Sequence, residues 1–303
     1  MRVALLSGGV GGARFARGLQ AVLEPGDLTV IGNVGDDVEV LGLHVSPDLD
    51  SIIYALAGLH DQERGWGRAG ESWTALESAG AWGGESWFRL GDLDIGLHLV
   101  RTQALRAGEP LSAITERLAE AAGLATRIVP ATDDPLRTTV VTPAGTFGFQ
   151  EWFVGRGHRD EVDDVRFEGA ESARPAPRVL HAIQDADAIL IAPSNPYVSI
   201  HPILAVREIH DAVASRTVRC VAVSPLVGGR AVKGPADRML SRMAGGTTPR
   251  HVAERYHALI DALVIDESDA PAEAGVATVV TRTLMTDLEA AARLAEVTLE
   301  AAR

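Results

Sequence analysis

Ser7-Gly8-Gly9-Val10-Gly11-Gly12-Ala13-Arg14 is the stretch on which the fold turns. Ahead of it, Val3 to Leu6 is wholly apolar and reads as a buried strand. Behind it, Ala13 to Leu23 carries helical periodicity. Four glycines therefore stand where a strand becomes a helix. Glycine adopts positive φ freely and lets backbone approach closely, while the first amides of a helix lack intrahelical acceptors and face the positive end of its dipole. Gly8, Gly9, Gly11 and Gly12 thus read as a phosphate cradle. The same glycines also suit close packing of a helix on a sheet.

Outward from this turn, Leu28 to Ile31 reads as a second buried strand, ending in Gly32-Asn33-Val34-Gly35-Asp36-Asp37. A dinucleotide-binding fold places an acid at that strand end, about 20 residues beyond the glycines, to hold ribose hydroxyls. Gly32 and Asn33 stand there instead, which weakens a dehydrogenase reading. Acids come later, as Asp36-Asp37 and again in Pro47-Asp48-Leu49-Asp50 before a helix expected over Ser51 to Leu59. Asp48 and Asp50 can be read as N-caps. They can equally converge with Asp36 and Asp37 at one sheet edge, where four carboxylates would repel and raise one another's pKa values. Mg²⁺, bound through one or two carboxylates and substrate phosphates, would relieve that repulsion. Both readings stand on the sequence.

The whole chain has 303 residues, 46% of them hydrophobic, and no linker long enough to separate it into domains. One domain is expected over 1–303, with a core from 1–59 and 176–303 and an accessory insertion over 60–175. A net charge of -13, from 28 basic and 41 acidic residues, argues against nucleic acid or an anionic membrane as partner. No apolar run reaches membrane-spanning length and residues 1–6 do not resemble a signal peptide, so a cytoplasmic protein is expected. The lone Cys220 falls in an apolar strand pattern and reads as buried filler.

Within the insertion, Trp66, Trp73, Trp82 and Trp87 lie in a Gly-rich stretch and are expected to lock it onto the core. Asp92 precedes a helix with Asp94 as its expected N-cap, apolar Ile95, Leu99 and Leu105, and a His98–Arg101–Thr102 stripe. That stripe suits either a polar ligand or a solvated face. A helix over Leu111 to Ala122 and a hairpin of Thr138 to Thr142 with Thr146 to Phe153 follow. Alternation then resumes: helix Val179 to Ile183, strand Ala188 to Ala192, the loop Pro193-Ser194-Asn195-Pro196, strand Val218 to Ser224, a glycine-basic loop Pro225 to Gly234, strands Leu263 to Asp266 and Ala277 to Thr281, and a helix from Asp287. Such repetition gives an α/β fold, a mostly parallel sheet covered on both faces.

Taken together, the glycine run, Asn33-Val34-Gly35-Asp36-Asp37, Pro47-Asp48-Leu49-Asp50, Gly91-Asp92 through His98 to Arg101-Thr102, Gln150-Glu151-Trp152 and Ala192-Pro193-Ser194-Asn195-Pro196 resemble the 2-phospho-L-lactate transferase family of coenzyme F-420 biosynthesis, CofD and its mycobacterial relatives FbiA. The resemblance spans nearly the whole chain. It implies a Rossmann-like fold, Mg²⁺ dependence, a homodimer, a guanosine diphosphate-linked donor and the deazaflavin Fo as acceptor. Arg64-Gly65-Trp66-Gly67 and Leu99-Val100-Arg101-Thr102-Gln103 lean towards the phosphoenolpyruvate form. In the roles it implies, Asp36 and Asp50 hold Mg²⁺, and Asp37 and Asp48 are further ligands or the base. Gly9, Gly11 and Gly12 cradle phosphate, Ser194 and Asn195 sit near nucleotide or acceptor, and Asp92, His98, Arg101 and Thr102 line the pocket. A related group of UDP-sugar-binding regulators of cell shape, which transfer nothing, is the rival reading.

Overall fold

The computed structural model describes residues 1–303. Seven parallel strands form the central sheet: β1 (Val3–Ser7), β2 (Leu28–Gly32), β5 (Arg127–Pro130), β9 (Ala188–Ile191), β10 (Cys220–Val223), β13 (Ala262–Asp266) and β14 (Ala277–Thr281), in the order β14-β13-β10-β9-β1-β2-β5. β1, β2, β9, β10 and β13 are buried along their whole length. Covered on both faces, they read in sequence as unbroken apolar runs rather than alternating ones. Each fully buried Leu, Ile or Val there contributes about 1.5–3 kcal/mol. The chain runs from β1 outward to β2 and β5, then returns through α6 (Val179–Gln184) to β9 on the other side of β1. The strand order therefore reverses between β1 and β9. Ligands of open α/β sheets sit in the crevice beyond the strand ends at such a point.

Helix α1 (Gly9–Val22) packs between α2 (Pro47–Leu56) and the closing helix α11 (Leu288–Ala301), which Asp287 caps by accepting from the Ala290 amide at 2.8 Å. Gly18 sets that approach, because a Cβ there would overlap the carbonyl of Ala291. Both α1 and α2 begin four residues before the positions expected from periodicity. The glycines are consequently the cap and first turn of α1, and Asp48 and Asp50 lie in the first turn of α2.

Residues 60–175 are not purely accessory. They contribute β5 to the central sheet, with α5 (Leu111–Ala121) packed on it. The rest comprises α3 (Thr74–Ala81), α4 (Asp92–Arg106) and an antiparallel sheet of β6 (Arg137–Thr142), β7 (Gly145–Gly148) and β8 (Asp164–Glu168). Strand β7 ends at Gly148, short of the expected Phe153, and the chain turns through a π-helical segment Glu151–Gly155 that sinks Trp152 into the core. A hairpin of β3 (Val38–Val40) and β4 (Leu43–Val45) closes on α4. Between β9 and β10 stand a second π-helical turn, Pro196–Ile200, and α7 (His201–Leu204) and α8 (Arg207–Ala214). β11 (Leu226–Val227) and β12 (Arg230–Ala231) form a hairpin in the glycine-basic loop, ahead of α9 (Ala236–Ala244) and α10 (Pro249–Arg255).

Two expectations for the insertion fail. None of Trp66, Trp73, Trp82 and Trp87 is buried, and Trp82 is 88% exposed, so they do not lock the segment onto the core. Asp94 is not the cap of α4. Gly91 is, and Asp94 is buried one turn in. The His98–Arg101–Thr102 stripe of α4 is not a solvated face, since all three residues are buried. Of the expected apolar set Ile95 and Leu105 are half-buried and Leu99 is exposed. The polar residues face inward because they find charged and backbone partners there.

Candidate active site at the sheet switch point

The loops after β1 and β9 meet over the crevice. Ser194 Oγ donates to the Gly8 carbonyl at 2.6 Å. A Cβ on Gly11 would come within 2.6 Å of the Pro193 carbonyl, and one on Gly12 within 2.7 Å of Ser194 Oγ. A Cβ on Gly8 would fall 2.6 Å from Asp48 Oδ2 and 2.8 Å from the Ser199 carbonyl. Gly8, Gly11 and Gly12 are thus required by close packing. Gly9 is required by its φ of +66°. The first residues of α1, Gly9, Val10 and Gly11, remain half-exposed. The Gly9 amide is turned to the Asp48 carboxylate, while those of Val10 and Gly11 are the helix's orphan donors, so the anion-binding end of α1 opens into the crevice.

Asn33, at the end of β2, organises the acids. Its Nδ2 donates to Asp36 Oδ1 at 2.6 Å, to Asp48 Oδ2 at 3.0 Å and to the Val198 carbonyl at 3.3 Å. Gln150 Nε2, brought in by the π-helical turn, approaches the Asp36 carbonyl and Oδ2 at 3.3 and 3.4 Å. Asp37 Oδ2 accepts from Ser46 Oγ at 2.8 Å and lies 3.0 Å from His44 Nε2. Arg101 Nη1 and Nη2 donate to the two oxygens of Asp50, the first at 3.0 Å, and His98 Nδ1 is 3.7 Å from Asp50. Thr102 Oγ1 accepts the His44 amide at 2.8 Å, which fixes the β3–β4 hairpin and with it the His44–Asp37 contact. All four carboxylates are 4–6% exposed.

Burial followed by the charges of Asp48 and Asp37 pushes the Asp36 carboxyl well above the ordinary range. Burial raises Asp48 to about 6. His98 is pushed down to about 4, again by burial, so it is neutral at pH 7. Neither Asp48 nor Asp50 acts as an N-cap: Ser46 holds that position, and the two carboxylates reach Asn33 and Arg101 instead.

The structure therefore brings together Gly8, Gly9, Gly11, Gly12, Asp36, Asp37, Asp48, Asp50, His98, Arg101, Thr102 and Ser194. Two expected residues stand apart. Asp92 accepts from Ser72 Oγ at 2.5 Å and from the Ala75 amide at 3.0 Å, tying down the start of α3. Asn195 accepts from the Tyr197 amide at 3.0 Å and shapes the π-helical turn. Asn33, His44 and Gln150 join the site without having been assigned to it from sequence. Asn33 was visible as the residue standing where a ribose-binding acid was sought. His44 and Gln150 reach the acids only through the hairpin and the π-helical turn, which periodicity does not reveal.

As a Mg²⁺ site, the cluster has supporting chemistry: hard oxygen donors, two carboxyls raised by burial and repulsion, and a buried Asp37 Oδ1 without a hydrogen-bond partner. Asp36 and Asp48, bridged by Asn33, fit best. Asp50 enters only by giving up some of its contact with Arg101. The chain holds no ready-made cage of three such ligands. Mg²⁺ held by one or two carboxylates together with substrate phosphates needs none.

Comparison with known proteins gives a consistent result. A family model described as 2-phospho-L-lactate transferase CofD matches residues 3–299. A phosphoenolpyruvate transferase from Thermobifida fusca is 47% identical over 89% of this chain and 88% of its own. One from Streptomyces coelicolor is 44% identical over 97% and 96%, and one from Mycobacterium sp. (strain KMS) 40% identical over 99% and 100%. Two crystal structures of a UPF0052-family protein from Bacillus halodurans share the fold, with TM-scores of 0.64 and 0.66 at 17% and 16% identity, each over 98% of this chain and 98–99% of its own. No helix is long and apolar enough to cross a membrane. By the extent of these matches the chain belongs to the CofD family of 2-phospho-L-lactate transferases, and it is an enzyme of that type.

Proposed function

We propose that the protein transfers a phosphoenolpyruvyl group from a guanosine diphosphate-linked donor to the terminal ribityl hydroxyl of the deazaflavin Fo, in coenzyme F-420 biosynthesis. The hydroxyl oxygen bonds to the distal phosphorus, the bond from that phosphorus to the bridging oxygen breaks, and GMP leaves while a phosphodiester remains. A 2-phospholactyl group would follow the same course, but the names of the relatives support the phosphoenolpyruvyl version.

One observation carries this reading: a cluster of four buried carboxylates lies beside the anion-binding end of α1 at the switch point, with Asp48 against Gly8. Acids and a polyphosphate share such a crevice only when a cation lies between them. Mg²⁺ would supply neutralisation of charge on the transferring phosphoryl group. The orphan amides of Val10 and Gly11 would hold phosphate oxygens. Asp36 and Asp48 would hold the cation with Asn33 setting their spacing, and Asp37 would accept the hydroxyl proton, steadied by His44 and Ser46. Arg101 would keep Asp50 in place at the back of the cluster. The protein would work in the cytoplasm as a homodimer.

The test is incubation with Fo, Mg²⁺ and the guanylated donor, with mass spectrometry for GMP and the phosphodiester-extended deazaflavin. No product, together with a rise in melting temperature on adding a UDP-sugar, would point to a nucleotide-sugar-binding regulator instead. Asp50→Asn should abolish turnover; full activity would remove Asp50 from the working site.

A further inference from the structure

Beside the glycine turn lies a group of cations that the proposed chemistry has not used. Val10, Arg14 and Arg17 form a half-exposed stripe along α1. Neither arginine has an ion-pair partner or a side-chain hydrogen bond in the chain, although acids outnumber bases 41 to 28. Lys233, from the loop after β12, crosses to the Arg64-Gly65 segment and donates to the carbonyls of Gly65 at 2.9 Å and Arg64 at 3.3 Å. Arg14 reaches the same place. A Cβ on Gly65 would lie 2.6 Å from Lys233 Nζ and 3.3 Å from Arg14 Nη2, so any side chain there would collide with the two cations, which close on Gly65 together. Gly65 stands at φ +70°, which only glycine adopts without strain.

The segment is braced from behind. Arg64 pairs with Asp61 at 2.9 Å and lies 5.3 and 5.2 Å from the ring centres of Trp66 and Trp73. His60 Nδ1 and Arg64 Nε are buried without partners. Burial, followed by the charges of Arg17 and Arg14, holds His60 below its usual range, and burial with Arg14 does the same for Lys233. Arg14 and Arg17, without an acidic partner and beside the Lys233 ammonium, which meets only backbone carbonyls, are suited to an anion. Arg14 lies five residues past Gly9, or about 7.5 Å along the helix axis, and helical side chains lean back towards the N-terminus. That is the reach of one group beyond a phosphate held at the glycine turn.

We propose that Arg14 and Lys233, across Gly65, bind the carboxylate of the acid being transferred. They hold the distal end of the donor while the α1 N-terminus and the acid cluster hold its diphosphate. The guanidinium fork matches a carboxylate in two hydrogen bonds, and the ammonium adds a point charge. This assignment rests on the transfer reaction proposed above. It makes Arg14 and Lys233 the residues that separate an acid-bearing donor from plain GDP.

The test uses Arg14→Gln, which loses no hydrogen bond or ion pair within the chain, together with Arg14→Lys and Lys233→Met. In Arg14→Gln the KM for the guanylated donor should rise about tenfold or more. GDP affinity by calorimetry should stay within about twofold, the scale of a lost distant charge. Binding of free phosphoenolpyruvate should weaken about tenfold, while that of inorganic phosphate changes little. Arg14→Lys should recover some of the loss. Equal weakening of GDP and phosphoenolpyruvate would assign these cations to the nucleotide phosphates and overturn the proposal. Unchanged donor KM in both Arg14→Gln and Lys233→Met would reduce them to a strap holding the 60–68 loop. The binding arms need no turnover, so a wild-type protein without transferase activity would sink the reaction while calorimetry still decides the carboxylate seat.

Discussion

Replacing Arg101 by methionine strands the Asp50 carboxylate. Arg101 is wholly buried and satisfies both Asp50 oxygens, while Asp50 itself is 5% exposed beside three more acids. Breaking a buried pair by removing one partner costs about 3–5 kcal/mol, because the remaining charge can neither be solvated nor paired. A chain of 303 residues unfolds with an entropy of about 0.6 kcal/mol per degree, at about 2.1 cal/mol/K per residue. The melting temperature should therefore fall by about 5–8 °C at pH 7.5. The second mutation supplies the discrimination. Adding Asp50→Asn removes the stranded charge, so R101M/D50N should be more stable than R101M alone, with a coupling of about 1–3 kcal/mol by calorimetry. A double mutant as unstable as the sum of its single mutants would show that the pair is not coupled.

Other consequences are open to direct measurement. Unfolded carboxyls titrate near 3.9, whereas Asp48 is raised to about 6 and Asp36 also stands high. A raised carboxyl contributes stability that is present below its unfolded value and is lost as the pH climbs through its folded value. With chelator present, the cluster should therefore weaken the fold between roughly pH 4 and 6, and Mg²⁺ should raise the melting temperature more at pH 7.5 than at pH 5. Equal increments at both values would place the ion elsewhere. Gly18→Ala should destabilise despite a helix-propensity gain of about 1 kcal/mol, because the new methyl meets the Ala291 backbone. A rise in melting temperature would refute that close approach. Asp92→Ala should lower thermal stability by loosening α3 yet leave the KM of both substrates unchanged, whereas a raised KM would return Asp92 to the pocket.

The sheet was readable because its central strands are buried on both faces, so their apolar runs needed no partner to be recognised. The acids at 36, 37, 48 and 50 were readable for a related reason: each pair follows a core element, and the sheet edge is where such loops converge. Helix α4 was open to two readings because hydrophobic periodicity assumes that the inner face is apolar. Arg101 and Thr102 are inside because Asp50 and the His44 amide are there to receive them, and no local pattern announces partners 51 and 58 residues away. The glycine turn yielded its position but not its division of labour. Three of its glycines answer to Asp48, Pro193 and Ser194, two of which arrive from more than 180 positions further along the chain.

The Asn33 side chain joins segments 15 and 165 residues apart through Asp48 and Val198. Such a knot cannot be tied early. Closing loops of that span costs chain entropy before any contact offsets it, and non-local pairings form slowly. During refolding the Asn33 amide can find the Val198 carbonyl only after β9 has docked against β1. Recovered activity should trail the return of the far-UV circular dichroism signal, and a chain still growing on the ribosome would stay inactive until residues well beyond 200 had emerged.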